Sequence, residues 1–445
     1  MGDTRPLARL PRLSLEGRGG WLPVGLLVGY LLWNARDRSV PLGPGLEYLP
    51  AWVIASATAL LAASLLARRL RPAAPWLRPV EAAAILAVVA MVLTDLTMTY
   101  QPLRDLGIYL KAGQHYLAGA PVYLQAPMTA RPADLTNYPF LYPPLTLPPF
   151  AALSLLPTPV AQAVWVAGSL ALGLAALRVI GLPWRWAIMA LAWPPLFQGL
   201  WVGNVAVPAL ALYALGPWLG AGLVLGAVFK SYTGLAALWL ARERHWRQIA
   251  VGVALVAALV LVTLPLTGLG LWSGWVDALR LYQTSTQNVP ALSGFGLPRF
   301  VPFWAYVALA VAAVLVALRQ SGRESLARLG TATIVASPSL WGHGLLMAVP
   351  SMLSLRAPWL WLAIGITSAP DGLQWWYAIG LIVASWFVPG MRRPDAATGR
   401  GGEAGRLLDE PREEPRNEPL HPLASGDAPW GAQDRPAPCW RRIRG

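Results

Sequence analysis

The stretch Val251-Gly252-Val253-Ala254-Leu255-Val256 decides the fold class, because every one of its residues is apolar or glycine. A strand of a transmembrane β-barrel alternates apolar and polar residues, and this stretch does not. Long apolar runs are typical of membrane-spanning helices, which need about 20 such residues. Runs like this recur along the 445 residues, of which 56% are hydrophobic and only 13% charged. Soluble domains carry about 25% charge, so the sequence predicts an all-α membrane protein.

The predicted architecture is a polytopic transmembrane helical bundle of about 11–14 spans, some of them short or broken. Short helices are tolerated at membrane depth where they line a cavity inside the protein. The predicted spans lie near residues 22–34, 49–67, 81–99, 160–178, 184–200, 205–216, 218–229, 231–241, 247–266, 299–318, 329–338, 344–355, 357–369 and 373–388.

Arginine clusters between the spans predict the orientation of the chain, since positive loops face the cytoplasm. The clusters lie near residues 68–78, 178–185, 242–247, 319–328 and 392–393. This parity places two long loops, 100–159 and 267–298, on the outer side. The turns near Asn204, Lys230 and His343 are expected on the same side.

Three regions follow from this pattern. Residues 1–20 form a cytoplasmic N-terminus, and residues 21–389 form the transmembrane domain. Residues 390–445 are rich in Pro, Gly, Glu and Arg and lack the apolar content for a core, which predicts a disordered cytoplasmic tail.

The formal net charge of +14 does not indicate nucleic-acid binding, because the arginines lie between hydrophobic spans and no nucleic-acid-binding motif is present. A single cysteine, Cys439, excludes a disulfide framework within the chain. The sequence also lacks an Asp-x-Asp pair, a His-Glu-x-x-His motif and the glycine-rich loops that bind ATP or dinucleotides. We therefore expect no metal and no cofactor.

The first outer loop contains the stretch Arg104-Asp105-Leu106-Gly107-Ile108-Tyr109. Apolar residues recur with helical spacing from Asp105 to Leu117, which predicts a helix on the membrane surface that stops near Gly119. The later Tyr142-Pro143-Pro144 and Pro148-Pro149 cannot form one continuous helix, because proline lacks the N–H donor. A bent, rigid segment over a cavity is expected there.

Asp105 is the first candidate for chemistry. A carboxylate that reaches an acceptor hydroxyl can act as a general base in sugar transfer. The alternative is a structural acid that binds free amides in the first turn of a helix. Asp95, near the end of the preceding predicted span, is interpreted as structural.

Lys230 and His343 are the candidate cationic groups. Lys230 ends the apolar stretch from Gly222 to Phe229, and a Lys at mid-membrane costs about 2.5–3.5 kcal/mol, which makes it a functional candidate. Its ammonium suits a lipid phosphate, although a Lys that extends to the membrane surface is the alternative. His343 follows Pro338 and Gly342 at a predicted turn, where it binds a phosphate or sugar hydroxyl or simply packs.

Three amide side chains also lie at predicted outer positions: Asn204, Gln287 and Asn288. Amides bind sugar hydroxyls, but they also cap helices, and the sequence leaves both possibilities open.

Taken in order, these segments resemble glycosyltransferase family 87, whose members include polyprenyl-phosphate-mannose-dependent α-mannosyltransferases. The matching elements are Asp105-Leu106-x-x-Tyr109 with Gly119 and Tyr123, then Tyr142-Pro143-Pro144, Gly203-Asn204, Gly222 to Lys230, and Ser337-Pro338 through Trp341 to His343.

The resemblance implies a C-type glycosyltransferase fold with its active site at the extracytoplasmic face of the cell membrane. It implies that Asp105 is the base, that Lys230 and His343 hold the donor phosphate, and that transfer inverts the anomeric carbon. The expected donor is a polyprenyl-phosphate hexose, with mannose as the first choice, and the expected acceptor is a lipid or glycan. Expected substrate-binding residues are Tyr109, Tyr142, Asn204, Gln287 and Asn288. A transporter or flippase of lipid-linked sugars and a membrane scaffold are the alternatives.

Overall fold

The computed structural model describes residues 100–132, 134–369 and 372–393, together with some of the residues between 82 and 97. This part of the chain is helical and contains no strand, so the predicted all-α fold is confirmed. The predicted spans 22–34 and 49–67, Asp95 and nearly all of the tail lie outside the described residues.

The helices are α1 (Arg104–Leu117), α2 (Leu147–Ser154), α3 (Thr158–Ile180), α4 (Trp184–Met189), α5 (Pro194–Trp201), α6 (Ala206–Leu215), α7 (Ala221–Phe229), α8 (Leu238–Arg242), α9 (Trp246–Asn288), α10 (Phe303–Leu318), α11 (Gly322–Val335), α12 (Val349–Leu353), α13 (Ala357–Thr367) and α14 (Gly372–Ala384).

Two of these helices are long and apolar enough to cross a membrane. Helix α3 has 23 residues with a mean hydropathy of 1.9, and α9 has 43 residues with a mean of 2.7. At about 1.5 Å per residue, α3 alone spans the roughly 30 Å of hydrocarbon. Helices α5 and α6 pass the same test together but meet at an angle of 119°, as a broken span or re-entrant loop does. The described residues thus contain two to three candidate spans.

The exposed surfaces of α10 and of the part of α9 before Gly268 are largely apolar. Leu261 and Val262 are each 68% exposed, and Trp304 and Leu315 on α10 are also exposed. A continuous apolar surface of this kind would aggregate in water and is stable in lipid. These faces are those of a membrane protein.

Helix α9 differs from the prediction, which ended the span at residue 266 and placed a loop over 267–298. The chain stays helical as far as Asn288, with one break at Gly268, where φ is 67° and ψ is 158°. Glycine adopts this conformation without the steric cost that a Cβ would add. The break frees the carbonyl of Leu266, and Tyr116 donates its hydroxyl hydrogen to it at 2.8 Å. The break therefore lets the second half of α9 take a new direction over the first outer loop.

The first outer loop is ordered and packs around one aromatic cluster. Helix α1 ends at Leu117, and Gly119 has φ of 66°, so the predicted helix and its stop are confirmed. The Tyr109 ring lies 4.8 Å from that of Phe150 and contacts Trp165 edge to face at 5.8 Å. Such pairs contribute about 0.5–1.5 kcal/mol beyond the area that they bury. The cluster fixes α1 against α2 and α3.

The proline-rich segment is bent only in part. Pro143 is extended and leads into a 3₁₀ turn, Pro144–Thr146, in agreement with the prediction. Helix α2 then begins at Leu147 with Pro148 and Pro149 in its first turn. Proline is tolerated there because the first N–H groups of a helix have no partner within it.

Candidate active site

Helix α1 begins beside the end of α5, and backbone groups of the two helix ends form hydrogen bonds with each other. The N–H of Leu103 donates to the carbonyl of Trp201 at 2.7 Å, and the N–H of Asp105 donates to the carbonyl of Val202 at 2.8 Å. N–H groups at the start of a helix and carbonyl groups at its end have no hydrogen-bond partner inside their own helix. Leu103 has φ of 53°, a left-handed conformation that costs a non-glycine residue about 1–3 kcal/mol. The surrounding structure thus holds the first turn of α1 in one direction.

Asp105 lies at this joint and is buried, with 6% of its surface exposed. One carboxylate oxygen accepts a hydrogen bond from Nε of Arg104 at 2.8 Å, and the other accepts one from Nδ2 of Asn204 at 2.5 Å. The carboxylate makes no side-chain cap at the start of α1. Its partners are therefore a cation and an amide, not the free helix amides that the structural interpretation expected.

The corner between α5 and α6 orients Asn204. Its Oδ1 accepts a hydrogen bond from the N–H of Ala206 at 2.8 Å, which leaves Nδ2 directed at Asp105. Gly203 precedes it with φ of 71°, and a Cβ built there would lie 2.9 Å from Cβ of Leu106. The corner is therefore tight against α1 and requires glycine.

We expect Gly203→Ala to lower the free energy of unfolding by about 1–2 kcal/mol and to lower activity several-fold, because the new methyl group displaces Asn204. The matched control is Gly119→Ala, since Gly119 also has a positive φ of 66° but nothing within 4 Å of a built Cβ. Thermal unfolding in detergent and sugar-transfer rates measure the two effects. Equal activity losses in both variants would contradict this account of the corner.

Tyr109 lies one helical turn after Asp105 and joins it to the outer loop. Its hydroxyl is 3.1 Å from that of Tyr142, and the N–H of Val205 donates to it at 3.5 Å. Burial, and then the neighbouring Tyr142 and Asp105, raise the pKa of Tyr109 well above its usual value of 10.0. The phenol therefore stays neutral and can donate a hydrogen bond at any physiological pH.

His343 lies in the 3₁₀ turn Gly342–Ala348 and is 4% exposed. Its backbone N–H donates to Oε1 of Gln198 at 3.0 Å, so α5 positions this turn as well. The imidazole Nδ1 is buried and has no hydrogen-bond partner within the described residues. A buried polar atom without a partner costs about 1–3 kcal/mol, so this one is suited to bind a ligand.

Lys230 ends α7 and is half-buried. Its backbone is extended, and its carbonyl accepts hydrogen bonds from both the N–H and the hydroxyl of Thr233, at 2.8 and 2.7 Å. Burial, and then the positive charges of Lys230 and Arg104, lower the pKa of the His343 imidazole well below its usual value. The neutral form of this side chain is therefore favoured.

The Arg104 side chain lies between Asp105 and the turn that contains His343. Its guanidinium carbon lies 5.9 Å from the ring centre of Trp341, two residues before His343, and 5.8 Å from that of Tyr100. The same side chain binds Asp105 through Nε. Asp105 and Asn204 thus form one hydrogen-bonded pair, Tyr109 and Tyr142 form another, and the backbone N–H of Val205, next to Asn204, donates to Tyr109.

Gln287 and Asn288 lie elsewhere, exposed on the last turn of α9. Within the described residues no contact joins either of them to Asp105. Sequence reasoning also overlooked Arg104, Gln198 and Trp341 as site residues. Gln198 carried a detectable signal, because a polar side chain within an apolar span indicates a specific partner.

The described residues contain no group of three or more His, Cys, Asp or Glu side chains that could hold a metal ion. Among the residues in place, Asp105 can accept a proton, Arg104 and Lys230 carry positive charge, and His343 can form a hydrogen bond with a ligand.

A buried carboxylate bound by a guanidinium and an amide thus lies at the joint of two helices in a helical membrane protein. The family model of glycosyltransferase family 87 matches residues 140–398, which is more than half of the chain. The chain belongs to this family and is a membrane glycosyltransferase. No curated protein and no solved structure matches it. The matched segment contains Lys230 and His343 and begins after Asp105.

Proposed function

We propose that the chain transfers a hexose, with mannose as the first choice, from a polyprenyl-phosphate carrier to a lipid or glycan acceptor. The reaction takes place at the extracytoplasmic side of the cell membrane, on a C-type glycosyltransferase architecture. The observation that carries the proposal is the buried Asp105 carboxylate, held by Asn204 and flanked by Arg104. The guanidinium of Arg104 also lies 5.9 Å from the ring centre of Trp341, two residues before His343.

Asp105 is the general base in this proposal. Its carboxylate takes the proton of the acceptor hydroxyl as that oxygen attacks the anomeric carbon of the donor. Arg104 and Asn204 hold the carboxylate in one orientation. Attack on the face opposite the phosphate inverts the configuration of the anomeric carbon.

Lys230, His343 and Arg104 act on the leaving group. The bond from the anomeric carbon to the phosphate oxygen breaks, and the electron pair leaves with the lipid phosphate. Cations fixed near that oxygen stabilise the charge that develops in the transition state. Nδ1 of His343 has no hydrogen-bond partner within the described residues, and the neutral imidazole with its proton on Nδ1 would donate a hydrogen bond to the phosphate. No step requires a metal ion.

The remaining predicted residues are proposed to bind sugar. The hydroxyls of Tyr109 and Tyr142 lie beside the base and can bind sugar hydroxyls near the reacting carbon. Asn204 contacts Asp105 directly and contributes by positioning it. Gln287 and Asn288 are exposed and are assigned to a more distant part of the substrate.

The test is transfer by the purified protein in lipid nanodiscs, given radiolabelled polyprenyl-phosphate mannose or glucose and a membrane lipid extract as acceptor. We expect a labelled product whose anomeric configuration is opposite to that of the donor. Movement of an unchanged donor between the two leaflets of vesicles, without product, would favour the transporter alternative instead.

A further inference from the structure

Exposed arginines surround the two connections α8–α9 and α10–α11. We call this group the basic surface, and its members are Arg242, Arg244, Arg247, Arg319 and Arg323. The two acids beside it have other partners. Glu243 accepts a hydrogen bond from the N–H of Gly322 at 2.8 Å, and Glu324 binds Arg328 and Arg392. Within the described residues, neither acid forms an ion pair with the basic surface, so its positive charge is directed outward.

Hydrogen bonds between the two connections hold the backbone of the basic surface together. Arg242 donates through Nε to the last carbonyl of α10 at 3.0 Å, and the indole N–H of Trp239 on α8 donates to the carbonyl of Gly322 at 2.7 Å. Arg323 also contacts the connection between α6 and α7, where its guanidinium carbon lies 5.7 Å from the ring centre of Trp218. The arginines therefore belong to one surface of the fold, although they come from separate parts of the chain.

The basic surface lies at the ends of two apolar helices. Helix α9 has no charged residue over 248–268, and α10 has none along its length. Val251 and Leu255 on α9 and Leu315 on α10 are exposed, and exposed apolar faces of this kind are stable in hydrocarbon. Trp246, in the first turn of α9, is also exposed, and tryptophan is enriched where a membrane meets water. The arginines therefore lie where the hydrocarbon ends, at the level of the lipid headgroups.

The candidate active site lies near the opposite end of the first half of α9. From Trp246 to Thr267 this half measures about 33 Å at 1.5 Å per residue, close to the thickness of the hydrocarbon. At its far end the carbonyl of Leu266 accepts the hydrogen bond of Tyr116, on the helix that carries Asp105. The basic surface is therefore a separate feature, and it lies on the side that the arginine clusters predict to be cytoplasmic.

Arg244 has a backbone conformation that favours glycine. Its φ is 60°, in the left-handed region, where a Cβ approaches the backbone too closely. Glycine adopts this conformation without that steric cost. Within the described residues, no hydrogen bond or ion pair involves the Arg244 side chain, so the turn itself does not require arginine. A positively charged side chain that is kept at a strained position indicates that its charge has a partner outside the chain.

We propose that the basic surface binds the headgroups of anionic phospholipids, of which phosphatidylglycerol is an example. A guanidinium donates parallel N–H bonds to a phosphate, and arginines at the end of a membrane span attract anionic lipids. The apolar faces of α9 and α10 hold the acyl chains beside the same arginines, which favours a lipid over a soluble phosphate. This lipid is not a substrate, and its binding does not depend on sugar transfer at Asp105.

The test titrates the purified protein in neutral detergent with phosphatidylglycerol and measures an apparent Kd from thermal unfolding. The Arg244→Gly/Arg247→Gln double variant should raise this Kd about tenfold or more, because two headgroup contacts are lost. Binding by the wild type should weaken as salt is added, since salt screens exposed charges. The matched control is Arg131→Gln/Arg280→Gln, which removes the same charge from exposed arginines of the first outer loop and the second half of α9 and should leave the Kd unchanged.

Arg244→Gly alone separates lipid binding from folding. Because glycine adopts a φ of 60° without strain, this variant should unfold in phosphatidylcholine nanodiscs at the same temperature as the wild type or at a higher one. In nanodiscs of equal parts phosphatidylcholine and phosphatidylglycerol, the wild type should gain more in Tm than the variant does. A merely structural role of Arg244 would instead lower the Tm of the variant in both lipids.

Three results would overturn the proposal. The first is a wild type whose Tm does not respond to phosphatidylglycerol. The second is an equal response of the wild type, the double variant and the control, which would assign the effect to the net charge of the protein. The third is equal stabilisation by inorganic phosphate in phosphatidylcholine nanodiscs, which would assign the surface to a soluble anion and not to a lipid.

Discussion

Asp105→Asn is expected to lower the rate of sugar transfer by about 10²–10⁴-fold, the usual contribution of a positioned general base. The amide has nearly the shape of the carboxylate but cannot take the acceptor proton. Initial rates with saturating donor and acceptor measure the effect. The KM for the donor should change little, because Asp105 contacts the acceptor hydroxyl and not the phosphate.

The control for this variant is Asp134→Asn, which removes an exposed acid from the same outer loop. It should leave the rate unchanged. Because Asp105→Asn leaves the buried Arg104 without its anionic partner, it can also destabilise the fold by about 3–5 kcal/mol. The Arg104→Gln/Asp105→Asn double variant removes both charges and should be folded but inactive. An Asp105→Asn protein that is folded and active would remove the base from the proposed mechanism.

Lys230→Met is expected to lower kcat by about 10²–10³-fold, as the loss of one fixed group that stabilises transition-state charge does. The KM for the polyprenyl-phosphate donor should rise as well, because the same cation binds the phosphate before reaction. Lys230→Arg keeps the charge and should recover part of the rate. Steady-state kinetics with varied donor concentration separate the two effects.

The chain offers a close control, since Lys111 is its other lysine. The Lys111 ammonium donates a hydrogen bond to Oδ1 of Asn137 in the outer loop. It is not one of the groups proposed to bind the donor phosphate. Lys111→Met should change neither kcat nor the donor KM. Equal losses in Lys111→Met and Lys230→Met would mean that the net positive charge of the protein, and not a contact with the phosphate, explains the effect.

The helices of this protein follow closely from its sequence, because apolar runs and proline or glycine boundaries are local signals. Helix α1 and its stop at Gly119 lie where the helical spacing placed them. Gly222 lies at a close approach of two helices, since a Cβ built there would lie 3.0 Å from the carbonyl oxygen of Leu212 on α6. Small residues permit such an approach.

The second half of α9 was less predictable for a physical reason. Its polar residues, such as Asp277, Arg280 and Gln287, end the apolar run that marks a membrane span. They are nonetheless compatible with a helix, and their neighbours Ala278 and Leu279 favour one. The end of the apolar run therefore did not mark the end of the helix, which continues to Asn288.

The contacts within the site were not predictable from local patterns. Asp105 and Asn204 are 99 positions apart, and their hydrogen bond depends on how α1 meets the end of α5. Arg104 adjoins Asp105 in the sequence, yet its approach to Trp341 depends on the packing of distant helices. Sequence identified the residue types, and tertiary structure determined which of them meet.

The corner at the end of α5 has a mechanical consequence. Gln198 holds the turn of His343 and Asn204 holds Asp105, and only six positions separate these two amides. The proposed proton acceptor and the turn proposed to bind the leaving phosphate are thus both attached to one short segment of backbone. Sliding or tilting of the outer helices as lipid thickness changes would carry both centres together, so their separation should be insulated from the state of the bilayer.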